Sequence, residues 1–201
     1  MDSTPYGLDT LQVDSDSLVA TFTARGGTPI HCRLIRPDDA PILISLFVHL
    51  SPESRRRRFN TSLENIESER LIQEARLLAD VDNRTTGGAI LAFARLPDGK
   101  KPIAVARLGR FPNNPTSPEA EAALVVRDDF QGQGIGTALM ALLAMLARRM
   151  GVETLTASVQ ADNEALFALL RRLQLPIERH TSHGETTISL SVERLPVPKS
   201  G

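Results

Sequence analysis

Residues Arg127 to Thr137 read RDDFQGQGIGT, with Gly132, Gly134 and Gly136 at alternate positions between an apolar run, ALVV, and a long apolar segment, ALMALLAMLA. Glycine reaches backbone angles closed to other residues, lets main-chain N–H groups approach a ligand, and here precedes a helix whose first N–H groups have no internal partner. A strand that hands over to a helix through such a turn is a candidate anion cradle, with the helix dipole adding about 0.3–1 kcal/mol per exposed charge contact. A GxGxG in isolation is equally compatible with a turn that binds nothing, so its surroundings have to decide.

Two phosphate-loop patterns fail on spacing. A P-loop needs Lys and then Ser or Thr after its last glycine, whereas Gly136 is followed by Thr137 and Ala138. A dinucleotide fingerprint needs a third glycine where Thr137 stands and an acid closing the next strand, where Ala157-Ser158-Val159 lies.

Outward from the turn, Glu119 to Arg127 reads as a strand, residues 134–150 as a helix, ETLTASV as a strand, and Asn163 to Leu173 as a helix with Leu166, Leu169, Leu170 and Leu173 on one face. Ile135, Leu139, Leu142 and Leu146 make an apolar stripe with further apolar residues beside it, the mark of a buried helix. Two closing strands near 177–182 and 185–193 turn at His183-Gly184. Upstream, AILAFAR and PIAVARLGR bracket Asp98-Gly99 as a hairpin, and LVATFTA and IHCRLI flank a glycine turn as another. Leu43, Leu46, Phe47 and Leu50 form a helical stripe, Ser51-Pro52-Glu53 starts a short second helix, and Leu71, Ala75 and Leu78 suggest a third. Hairpins and helices followed by strand, helix, strand, helix predict an α/β (α+β) fold. Its sheet is mixed and mostly antiparallel, of six to seven strands, with helices on both faces and one parallel pair where a ligand crevice opens. Residues 1–16 read as a flexible lead, 17–193 as a single domain and 194–201 as a tail.

Composition narrows the partners. A formal net charge of -1 offers no field to recruit nucleic acid or an anionic membrane, and the apolar run Ala138 to Ala147 is too short to span a bilayer. The acidic start MDSTPYGLDT lacks the pattern of a signal peptide, and a single cysteine, Cys32, excludes an internal disulfide, so a cytoplasmic protein is expected. His31, His49, His180 and His183 lack metal-ligand spacing, and no metal is expected. Cys32 reads as a small apolar filler, and Arg55 to Arg58 as a solvated face.

Gln131, Gly134 and Gly136 fit Gln-x-x-Gly-x-Gly after a strand and before a long apolar helix. This resembles the acetyl-coenzyme A signature of the GNAT superfamily of N-acetyltransferases, and Asn163, opening a helix after the next strand, matches an asparagine that faces the cofactor there. IRPDDAPILISLFVHLSPESRRRRF, followed by AEAALVVRDDFQGQGIGTALM, is similar to the acetyltransferase module of bacterial protein lysine acetyltransferases, which modify lysines including those of acyl-coenzyme A synthetases. Those modules are often fused to a regulatory domain, for which 201 residues are expected to leave no room.

The resemblance implies acetyl-coenzyme A as cosubstrate. It is held by Gln131, Gly132, Gln133, Gly134, Ile135, Gly136, Thr137 and Asn163 and by the backbone of Leu124, Val125 and Val126, on a strand that splays from its neighbour. It also implies a protein lysine as acceptor, with an acyl-coenzyme A synthetase as a candidate partner. Holding a lysine as free amine at pH 7 costs about 4.6 kcal/mol in protonation alone, so a base must assist. The family's glutamate on the preceding strand falls on Glu121. Burial among Ala120, Ala122 and Leu124 would raise its pKa toward neutrality, and Glu119 is the solvated competitor. Two positions depart from the family. The tyrosine that protonates the leaving thiolate is replaced by Leu170, the only tyrosine being Tyr6, and a Gly-Phe pair is replaced by Gln174-Leu175. A small-molecule amine as acceptor and a sensor that binds acyl-coenzyme A without turnover stand as the alternatives.

Overall fold

The structure, a computed structural model, describes residues 8–59, 67–182 and 185–198. Strands β1 (Gln12–Asp14), β2 (Val19–Thr23) and β3 (Pro29–Leu34) lead into helices α1 (Ala40–Val48), α2 (Pro52–Phe59) and α3 (Ser68–Ala79). The hairpin of β4 (Gly87–Leu96) and β5 (Gly99–Gly109) is followed by β6 (Glu119–Val126), α4 (Ile135–Arg149), β7 (Thr154–Gln160), α5 (Glu164–Arg172), β8 (Glu178–Ser182) and β9 (Glu185–Ser191). They build one sheet in the order β1-β2-β3-β4-β5-β6-β7-β9-β8, antiparallel throughout except for β6 with β7.

Nine strands exceed the six to seven expected, and part of the difference lies in the presumed flexible lead. Gln12–Asp14 is too short to show alternation, yet it pairs with Ala20 and its neighbours while Leu8 and Leu11 are buried beside it. The presumed tail likewise starts late: Leu195 is buried, and the Arg148 guanidinium donates to the carbonyls of Val192, Glu193 and Leu195. The turn assigned to His183-Gly184 lies outside the described residues.

Strand alternation sorts the core into two layers. Ile90, Ala92, Ala94, Ala106 and Leu108 face α4, whereas Ala89, Leu91, Phe93, Val105 and Val125 face α1 and α3. All of α4 except Gly136, Met145, Arg148 and Arg149 is buried, so it is apolar nearly all round and can sit only inside the molecule. Cys32 is fully buried and its thiol is pushed up to about 12, which makes it core filler and a poor nucleophile.

The entry to α1 is held by a buried ion pair. Arg33 forks onto Asp39 at 2.6 and 2.7 Å, the Asp39 carboxylate also accepts the Arg36 N–H at 2.7 Å, and Arg33 lies over the Phe93 ring. Burial alone would push the Asp39 carboxyl up, but the Arg33 and Arg36 donors outweigh it and hold the pKa below the ordinary carboxylate value. A depressed folded-state pKa stabilises the fold above the unfolded-state pKa, and that contribution is lost as pH falls through the folded value. Asp39→Ala, which strands Arg33 in a half-dry site, is expected to cost about 3–5 kcal/mol in urea unfolding at pH 7, with the deficit shrinking toward pH 2.

Candidate functional site

β6 and β7 part company after three rungs. Glu119, Ala120 and Glu121 pair with Thr154, Leu155 and Thr156, and no pairing continues beyond them. From Ala122 to Val126 the β6 edge therefore faces a gap of about 17 Å at the usual strand rise. Arg127 donates its N–H to Ile103 across β5, so strict alternation turns the main-chain groups of Ala122, Leu124 and Val126 into the gap. Val125, also expected to present its backbone there, points it toward β5 and its side chain toward α1 and α3.

A cavity of about 420 Å³ fills the fork, walled by β6, Thr156–Val159 of β7, Asn163 and the leucines of α5, and reaching the glycine turn at its wide end. Its size suits an extended small-molecule ligand. At the turn, Gly132 and Gly134 have φ of 71° and 88°, which a side chain would strain, and Gly134 is the N-cap of α4 without any side-chain cap. A Cβ on Gly132 would meet nothing within 4 Å. Bare main-chain N–H groups beside open space at the positive end of a fifteen-residue helix form a cradle whose chemistry fits a phosphate or diphosphate. Gly136 differs: a Cβ there would meet Leu169 and Leu124 at ordinary contact distance, so the fold itself does not demand glycine.

Gln131 and Gln133 look in different directions. The Gln131 amide donates to the Val126 carbonyl at 3.0 Å and to the Ser54 hydroxyl at 3.3 Å, closing the strand end against α2. Gln133 donates to the Asp129 carbonyl and accepts the Arg25 N–H on its own main-chain oxygen, turning it toward the β2–β3 turn. Asn163 accepts the Leu166 N–H at 3.2 Å and caps α5 while lining the cavity, and Leu170, in the tyrosine slot, is buried.

Helix α2 is strapped across the mouth. Asp128 accepts the Ser51 N–H, the Ser51 hydroxyl and the Ser54 hydroxyl at 2.7–2.9 Å, and Arg56 reaches Asp162 beyond β7 at 3.1 Å. The arginine run is thus no solvated face. Arg55 donates to the Phe47 and Val48 carbonyls at the end of α1, Arg57 pairs with Glu53, and Arg57 and Arg58 line the cavity. Single-residue hydropathy hides such roles, because four adjacent helical arginines point four ways.

Glu121 sits at the last paired rung, the apex of the fork. It is exposed, which corrects the expectation of burial among Ala120, Ala122 and Leu124: on a strand those neighbours point to the opposite face. Glu121 shares its face with Ala123 and Val125, and lies diagonal to Arg107, which pairs with Ala123. Its charge partly offsets the fall in pKa that burial imposes on Arg107 and on Arg58, the latter pushed down to about 10 by burial and by Arg107. Glu119 is exposed at the strand start. Among the described residues no three His, Cys, Asp or Glu side chains cluster as metal ligands, and no helix is long and apolar enough to cross a membrane.

The fork, the glycine turn and the mixed sheet define an acyl-transfer fold, and the comparisons agree. Residues 47–174, more than half the chain, match the model of the acetyltransferase (GNAT) family. The chain belongs to that family and is an acetyl-transferring enzyme. Over 71 residues it is 44% identical to the acetyltransferase Pat of Mycolicibacterium smegmatis; that match spans 35% of this chain and 21% of the relative, so about a fifth of Pat is represented. The GNAT domain of S. lividans PAT superposes with a TM-score of 0.73 at 25% identity, covering 86% of this chain and 96% of that one. The fold is also that of PaiA N-acetyltransferase from Thermoplasma acidophilum, solved in complex with coenzyme A, with a TM-score of 0.57, 18% identity and coverage of 81% and 98%.

The end of α5 closes on Gln174, where the resemblance implies a glycine. Gln174 adopts φ 52°, with its N–H on the Arg171 carbonyl and the Leu175 N–H on the Leu170 carbonyl, a Schellman closure. Gln174→Gly is expected to raise stability by about 0.5–1 kcal/mol in urea unfolding, since a left-handed side chain is removed. Asp128→Ala frees Ser51 and Ser54 and is expected to weaken coenzyme A binding about ten-fold by calorimetry, through loss of about 1.5 kcal/mol of positioning hydrogen bonds.

Proposed function

We propose that this enzyme takes the acetyl group of acetyl-coenzyme A and passes it to the ε-amine of a protein lysine by direct attack, with Glu121 as general base. The observation that carries the reading is the place of Glu121, on the last rung before β6 and β7 diverge, where a ligand lying along the fork ends. The lysine acceptor is supported by the resemblance to protein lysine acetyltransferase modules and by the likeness to the two Pat proteins.

Bound donor would supply an activated thioester carbonyl. The glycine turn and the first N–H groups of α4 bind its diphosphate, assisted by the positive charge of Arg57 and Arg58. The gap-facing amides of Leu124 and Val126 are the available donors to the extended arm and to the oxygen on which charge develops. Glu121, exposed to water and to the incoming acceptor, removes the ammonium proton directly or through a water, which lowers the cost of presenting a free amine. Leu170 cannot donate a proton, so the leaving sulfur is satisfied by water or by the protonated Glu121. Acyl-coenzyme A synthetases are the first acceptors to test.

Glu121→Gln is expected to lower kcat by about 10²–10⁴ while leaving the Kd for coenzyme A unchanged by calorimetry. Unchanged turnover in that variant sinks the base assignment. Mass spectrometry that finds acetate on small amines but on no lysine of a synthetase or peptide panel sinks the acceptor.

A further inference from the structure

A second cavity, of about 210 Å³, lies between the sheet and helices α1 and α3, on the same face as the Glu121 side chain. Its walls are mostly apolar, from Ile35, Leu43, Leu46 and Leu71 among others, but four charged side chains enter it: Arg58, Arg70, Glu74 and Arg107. Arg58 and Val125 line this cavity and the fork cavity alike, so the two meet at Val125, four residues along β6 from Glu121. Arg107 is half-buried and has no hydrogen-bond or ion-pair partner among the described residues; the nearby Glu121 acts on it only through its field. Arg107, half-dry among apolar walls, carries a positive charge that Glu121 meets only through its field, and a carboxylate is the group that compensates it with matching fork geometry.

Resting on the acceptor reading above, we propose that this cavity receives a carboxylate carried by the acceptor, in a protein an Asp or Glu side chain close to the target lysine, with Arg107 as its principal partner. The cavity is below the range of a pocket for a whole small-molecule ligand and suits one short side chain. Arg107 lies diagonal to Glu121 on the same face of the sheet, which sets the carboxylate within a few residues of the amine. Glu74 at the α3 wall opposes a second acid, so one flanking carboxylate is favoured over an acidic run. Arg107 is thereby a specificity residue and takes no part in moving the proton.

The test is a ratio of rates that cancels general damage. Paired lysine peptides differing only in Glu or Gln at each of the three positions on either side of the lysine are assayed with wild type, Arg107→Ala and Arg107→Glu. Alongside them run two small amines, lysine and its decarboxylated counterpart cadaverine, and circular dichroism checks each variant's fold. In the wild type, kcat/KM is expected to favour the acid-bearing member about 10–100-fold at one position or more, mainly through KM. The ratio falls to near one in Arg107→Ala, and in Arg107→Glu it inverts toward a Lys-flanked peptide. A wild-type ratio near one, or a preference that survives Arg107→Ala, overturns the proposal. If peptides are not turned over but lysine exceeds cadaverine in an Arg107-dependent way, the carboxylate site stands and the protein-lysine reading fails. Independently of turnover, titration with millimolar glutarate should shift the Arg107 Nε–Hε NMR signal, and a signal that does not move overturns the assignment.

Discussion

Everything in this active centre follows from a sheet that stops pairing. β6 and β7 share three rungs and then diverge, which leaves main-chain donors and acceptors along half of β6 without a strand to satisfy them. Unpaired peptide groups are costly when dry, so the gap demands either water or a polar, extended ligand. A ligand with amides along its length is suited to that edge, and a diphosphate at its end would meet the bare N-terminus of α4. The same divergence that would be a flaw in a structural sheet here opens the cavity.

The remainder of the fold holds that gap open without letting it spread. The buried helix α4 anchors the turn from below, and its own burial is what fixes the direction in which its N–H groups point. From above, α2 ties the two arms together: Asp128 grips Ser51 and Ser54 beside β6, while Arg56 reaches Asp162 beyond β7. Asp128 keeps a depressed pKa because the Ser51 and Ser54 donors outweigh its burial, so this clasp persists above the ordinary carboxylate range and weakens in acid. The mouth of the fork is thus braced by one helix whose arginines look, in the sequence, like a solvent-facing run.

Leu170 stands where the resemblance implies a proton-donating tyrosine. Leu170 is part of the core and of the cavity wall, so the position serves packing. The carboxylate at the apex is that of Glu121, on the face it shares with Arg107 and near Arg58. Arg58, Arg70 and Arg107 bring positive charge to that face, whereas the gap itself is mainly apolar and backbone-lined.

The sequence by itself determined the strand-turn-helix unit, the hairpins and the identity of the glycine turn, because these depend on local quantities: apolar period, positive φ at Gly132 and Gly134, and an N-terminus without a cap. Family membership was legible for the same reason, since Gln131, Gly134, Gly136 and Asn163 lie in two short segments. What tertiary structure alone decided depends on contacts between residues far apart in the chain. Strand register put Glu121 on the opposite face from the neighbours expected to bury it, and left it exposed opposite Gly109. Pairing with β2 ordered the three residues of β1, which carry no periodic signal of their own. Long-range hydrogen bonds assigned Ser54, Arg56 and Asp128 their work across the mouth of the fork. Arg107 gained its place in a half-dry cavity only once α1 and α3 closed over the sheet. Local preference is written residue by residue, but which side chains meet is a property of the folded chain.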